Sequence, residues 1–234
     1  MTANNDDKLA GLFAKLIAAA PGDIELEADT GPPAANPGPT MNLVRACNGW
    51  GTKFVEPIAL HGEKWFAVFE EAKEFVRTGG IVALLGDRGP GKTRMAAEIT
   101  RAGGFPHDGG QWNGLRTVYS HTALYRRAMD VFLSLRDTGK KGSTISEMDV
   151  LAQLERPGLL VVDEFQERGG SEWENRVVGN LIDKRYAADR PTVLIANFTR
   201  QEMAGALSES VKSRMRENGK SFTFDWPSFR ENKP

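Results

Sequence analysis

The segment from Gly80 to Thr93, GIVALLGDRGPGKT, leaves this chain few folds to choose from. Ile81 to Leu85 is a short, wholly apolar run, the composition of a strand buried on both faces of a parallel sheet. The chain then turns at once into GDRGPGKT, which satisfies every fixed position of G-x-x-x-x-G-K-[ST]. Gly86, Gly89 and Gly91 lack the side chains that would hold a backbone away from a polyphosphate. Their N–H groups can therefore form an anion nest, to which a helix beginning near Lys92 adds its positive end. Lys92 is placed to reach the β and γ phosphates of ATP, and Thr93 to set its hydroxyl on Mg²⁺. Asp87, Arg88, Pro90 and Arg94 complete the candidate nucleotide contacts.

A second segment supplies the partner chemistry. Leu159 to Glu164, LLVVDE, is a buried-strand pattern that ends in two carboxylates, and the carboxyl end of a strand is where open α/β sheets bind ligands. Asp163 is the candidate metal ligand, and Glu164 the group that orients or polarises an attacking water. Pro191 to Asn197, PTVLIAN, repeats the pattern and puts Asn197 at the same edge as a candidate contact to the γ phosphate or the water. Arg214 and Arg216 close a helix predicted over Gln201 to Arg216. An arginine there stabilises transferred charge only by reaching a neighbouring subunit's site, since Lys92 already serves the local phosphate.

The rest of the chain reads as supports and extensions. Leu9, Leu12, Phe13, Leu16 and Ile17 share one face of an amphipathic helix within Asp7 to Ala20. Pro21 to Thr40 is a Pro/Gly linker, so residues 1–20 are expected as a helical arm, 21–40 as its tether and 41–234 as the ATPase domain. Trp50 and Cys47 are expected to pack where the preface of that domain meets its core. Further helices are predicted over Glu63 to Arg77, Thr122 to Arg136, Ser146 to Leu154 with Ser146 as its cap, and Glu172 to Arg185. Further strands are predicted over Leu115 to Ser120 and Ser221 to Asp225. The chain ends soon after Trp226, which leaves little or no lid.

Composition narrows the classes. The 234 residues carry 30 Lys and Arg against 31 Asp and Glu, a formal net charge of -1, so a generally basic nucleic-acid coat is not indicated. One cysteine, Cys47, with three scattered histidines, gives neither a disulfide framework nor zinc-ligand spacing. No run has the length of a membrane span, and the polar, acidic start is unlike a signal peptide, so a cytoplasmic protein with no membrane partner is expected.

The order of these segments resembles the AAA+ ATPases of the DnaC/DnaI helicase-loader and IstB transposition-helper group, most like a compact, phage-type loader. The passage with Arg185, Tyr186, Arg190, Pro191, Thr192 and Asn197 carries the likeness best, being less generic than the two nucleotide motifs. The resemblance implies an AAA+ type αβα sandwich with a central parallel sheet. It implies Lys92 and Thr93 as Walker A, Asp163 and Glu164 as Walker B, Asn197 as sensor 1 and Arg214 as a trans-acting finger. It also implies ATP-dependent self-association in a ring or spiral, a replicative helicase as partner, and single-stranded DNA held by the helix pair within Thr122 to Leu154. Arg126, Arg127, Arg136, Lys140 and Lys141 are then the phosphate contacts, and Leu12, Phe13, Leu16 and Ile17 the helicase-binding surface. An IstB-like transposase helper, a small-molecule kinase and an adaptor that binds ATP only structurally are the competing readings.

Overall fold

The computed structural model describes Trp50, Phe54 and residues 62–102, 123–140 and 143–229. The predicted arm, linker, Cys47, the strand over Leu115 to Ser120, and Lys141 lie outside the described residues.

The elements follow in the order α1 (Glu63–Arg77), β1 (Ile81–Gly86), α2 (Lys92–Ala102), β2 (Ala123–Arg127), α3 (Ala128–Asp137), α4 (Glu147–Glu155) and β3 (Leu159–Asp163). A 3₁₀ turn (Phe165–Glu167), α5 (Glu172–Ala187), β4 (Thr192–Ala196), α6 (Arg200–Ala206), α7 (Glu209–Asn218) and β5 (Gly219–Phe224) complete it. The strands form one parallel sheet in the order β2-β3-β4-β1-β5. Val82 and Leu84 of β1 join a core under α1 and α2, whereas Ile81, Ala83 and Leu85 join a second core under α3 to α7. Helices thus cover both faces, which is why β1, β3 and β4 read as unbroken apolar runs. Trp50 is buried in the first core, as its position in the sequence led us to expect.

Local signals set most boundaries. Ser146, Ser171 and Thr199 each cap a helix in reciprocal capping boxes with Asp149, Glu174 and Glu202. Two expectations are corrected. The segment from Thr122 is not one helix: Ala123–Arg127 is a strand paired with β3, and the helix starts only at Ala128. Leu124, Ala128 and Phe132 keep helical spacing across that junction, so their periodicity conceals the change. Gln201 to Arg216 is likewise two helices, because Leu207 turns extended and Ser208 caps a new start at Val211 N. Met203, Leu207 and Val211 are buried against the same core, so the interruption leaves the apolar period intact. On the other side of the sheet, Phe66 of α1 is 57% exposed.

At the amino edge of the sheet, Arg185 is fully buried. Its guanidinium donates to Thr192 Oγ1 and to the carbonyls of Leu154, Glu155, Pro157 and Pro191 at 2.6–3.1 Å. Burial lowers its pKa to about 9, which still leaves it charged at neutral pH. Arg185, one of the residues that carry the resemblance, therefore ties α4 and the entries of β3 and β4 together, away from the strand ends that carry the nucleotide motifs.

Candidate nucleotide site

Parallel pairing brings the carboxyl ends of β1, β4 and β3 to one edge, with β4 between the other two. Lys92, at the first turn of α2, is 6% exposed. Its ammonium donates to Gly86 O at 2.7 Å, to Asp87 O, and to Asn197 Oδ1 at 3.0 Å. One bond thus spans from the phosphate-binding loop to the end of β4. Gly89 and Gly91 take φ of +106° and +92°, a backbone region that L side chains rarely adopt.

Thr93 and Asp163 meet across the sheet, Thr93 Oγ1 donating to Asp163 Oδ2 at 2.8 Å. A hydroxyl and a carboxylate side by side are hard oxygen donors. They fit Mg²⁺, which characteristically takes one or two protein oxygens and completes its shell with phosphate and water. Among the described residues no cluster of three or more His, Cys, Asp or Glu suggests a different metal. Glu164 N donates to Asp163 Oδ1 at 2.7 Å, which fixes the second carboxylate oxygen. Glu164 itself sits at φ 52°, ψ 44°, the left-handed region. A β-to-left-handed turn directly after a buried strand strains the backbone at this edge, as functional sites often do.

Two supporting residues have no place in the motifs. Tyr125, in the middle of β2, donates its hydroxyl to Asp163 Oδ2 at 2.9 Å and packs against Trp50 with the rings tilted, 4.5 Å between centroids. Burial, then the neighbouring Asp163 carboxylate, raises its pKa and keeps the phenol a donor. Gln166 accepts the Asn197 N–H at 2.9 Å, linking the turn after β3 to the end of β4. Reading β2 as helix hid Tyr125, since only the strand places that side chain beside Asp163. Gln166 carries no pattern at all.

The remaining predicted contacts diverge. Arg88 is exposed and faces Glu167 at 3.5 Å, while Arg94 lies along α2 near Glu98 and over the Phe54 ring at 5.5 Å. Arg214 is on α7 against α5, 3.5 Å from Asp183 and 5.4 Å from the Tyr186 ring centroid; Arg216 is exposed.

The expected DNA cations lie on β2, α3 and the turn after it. Arg126, one residue before the end of β2, has its guanidinium half-buried, donating to Tyr125 O at 2.9 Å, and burial lowers its pKa. It lines an open groove of about 340 Å³ between α3 and α4, with Asp130, Ser134 and Gln153. Arg127 pairs with Asp130 at 3.0 Å and Lys140 with Asp137 at 2.5 Å, both exposed. Arg136 instead reaches Glu174 of α5 at 2.9 Å, and that carboxylate is only 1% exposed.

Comparison with known proteins adds ancestry to this geometry. No family model matches the chain. The replicative helicase loader DnaC of Escherichia coli K12 is 29% identical over 165 residues, 68% of this chain and 62% of that protein. The chain thus matches less than two thirds of the length of that relative. DnaC of Buchnera aphidicola from Acyrthosiphon pisum is 26% identical over 161 residues, 68% of this chain and 60% of that protein. The chain is thus similar to proteins of the AAA+ initiator and loader clade. A crystal structure of the DnaC helicase loader has the same fold, with TM-score 0.52 and 16% identity over 74% of this chain and 99% of that one. Among the described residues, no helix is long and apolar enough to cross a membrane.

Proposed function

We propose that this AAA+ protein is an ATP-dependent loader of a replicative helicase onto single-stranded DNA, with ATP binding and slow hydrolysis to ADP and phosphate as its assembly switch. The observation that carries the reading is the convergence of Lys92, Thr93, Asp163, Glu164 and Asn197 at one sheet edge. In this reading the N–H groups from Asp87 to Thr93, Pro90 excepted, and the Lys92 ammonium hold the polyphosphate, and Thr93 and Asp163 hold Mg²⁺. Bound Mg²⁺ neutralises charge on the β and γ oxygens. Glu164 orients the water, with Asn197 beside it, and Arg214 acts on the site of the next subunit after leaving Asp183. That ion pair is one-third exposed on each side, so releasing it costs little. Arg126, Arg127 and Lys140 meet phosphates without reading sequence, and the Leu12, Phe13, Leu16 and Ile17 face grips the helicase. The helicase assignment is supported by the similarity to DnaC.

The test is a pull-down of the purified chain against the replicative helicase of its host with ATP, followed by mass measurement of the complex. A defined complex that is lost on deletion of residues 1–20 supports the loader and its arm. No complex, with ATP-dependent filaments on duplex DNA instead, overturns it in favour of a transposase helper. A phosphorylated small metabolite would point to a kinase.

A further inference from the structure

β5 delivers the chain to the same edge as the phosphate-binding loop, and the residues that follow run across that loop. Trp226 Nε1 donates to Pro90 O at 3.0 Å, and Phe229 N donates to Gly89 O at 3.2 Å. The approach is close enough that a Cβ on Gly89 would stand 2.0 Å from Ser228 Oγ, and one on Gly91 3.2 Å from the Phe229 ring. The indole of Trp226 is itself held against Phe224, the last residue of β5, at 4.6 Å between centroids.

These two bonds bear on where the loop points its donors. In a planar trans peptide the C=O and N–H point in opposite directions. A donor that fixes Pro90 O on the outer side therefore fixes the Gly91 N–H on the inner side, towards the anion. The Gly89–Pro90 peptide has no N–H to offer, and its carbonyl would repel phosphate if it turned inward. The Phe229 amide holds that carbonyl outward. A glycine-rich loop is otherwise free to turn these peptides over, because glycine tolerates both hands of φ.

We propose that Asp225–Phe229 is a strap that sets the phosphate-binding loop in its anion-accepting conformation, with Trp226 and Phe229 as positioning residues. Nucleotide affinity then depends on a segment beyond the sheet that contains none of the nucleotide motifs. The proposal rests on the reading of Gly86–Thr93 as the nucleotide site.

The experiment uses the full chain with Trp226→Phe, which keeps an aromatic ring and removes the donor, and separately Phe229→Pro, which removes the amide N–H. ADP affinity is measured by calorimetry. Amide exchange of the peptide spanning Gly91 and Lys92, and thermal unfolding, are followed without nucleotide. Trp226→Phe is expected to weaken ADP about fivefold, equivalent to about 1 kcal/mol. Amide exchange should become faster at the loop, while the unfolding midpoint stays at the wild-type value. Phe229→Pro should act in the same direction. Wild-type ADP binding with both variants unchanged in affinity and exchange overturns the strap alone. A lowered midpoint with unchanged affinity and exchange makes the contact merely structural and also overturns it. A wild-type chain that binds no ADP removes the nucleotide-site reading, and the strap with it.

Discussion

The sheet edge, which we propose holds a polyphosphate, and the α3/α4 face with the residues flanking α3, which we propose holds DNA, are built on opposite principles. At the edge, Lys92 is buried and its ammonium is held by oxygens from two strands. Asp163 is fixed through both oxygens by Thr93, Tyr125 and Glu164 N. On the α3/α4 face, Arg127 and Lys140 are exposed and pair with acids three residues away on their own segment. Such pairs contribute about 0–1 kcal/mol and exchange readily for another anion. Chemistry needs its groups pre-placed because reorganisation adds to the barrier; holding a polyanion needs only charge within reach. Arg136 breaks the pattern, since its partner Glu174 is buried, and loss of the arginine leaves that carboxylate its capping bond from Ser171 N but removes its cation.

That contrast can be broken at several points. Glu164→Gln should lower the rate of hydrolysis by about 10²–10⁴-fold with ADP affinity near wild type, measured by single-turnover phosphate release and calorimetry; full activity would remove Glu164 from the chemistry. Lys92→Ala should weaken ADP on the order of 100-fold while the unfolding midpoint holds, and a collapse of stability instead would make the edge structural. Arg136→Ala should lower the unfolding free energy by about 2 kcal/mol in urea, with Glu174→Gln recovering part of the loss in the double variant. If stability is untouched and DNA affinity alone falls, Arg136 belongs with the exposed cations. Lys140→Ala should have the smallest effect, a few-fold loss of single-stranded DNA affinity and a salt slope smaller by about 0.7, with stability unchanged.

The same division explains which parts of the molecule could be read in advance. β1, β3 and β4 are buried on both faces, so their apolar runs were legible as strands, and the polar residues that end them as one candidate site. α4 starts at the cap expected at Ser146, whereas the capping boxes at Ser171 and Thr199 that start α5 and α6 were not read from the sequence. β2 was misread because the edge strand is short, carries Arg126 and Arg127, and runs into α3 without a turn signal. The break at Leu207 was missed because α6 and α7 bury the same side.

The sequence by itself determined the nucleotide motifs, the strands that carry them and hence the αβα architecture. These are local properties: a glycine pattern, an apolar run and a carboxylate in the next position. Only the tertiary structure decided that Lys92 meets Asn197, that Tyr125 holds Asp163, that Gln166 takes the Asn197 amide, and that Trp226 and Phe229 hold the phosphate-binding loop. Each of those contacts joins different strand ends or loops. Their existence depends on the order β2-β3-β4-β1-β5, which follows from how both faces of the sheet are covered rather than from any one segment.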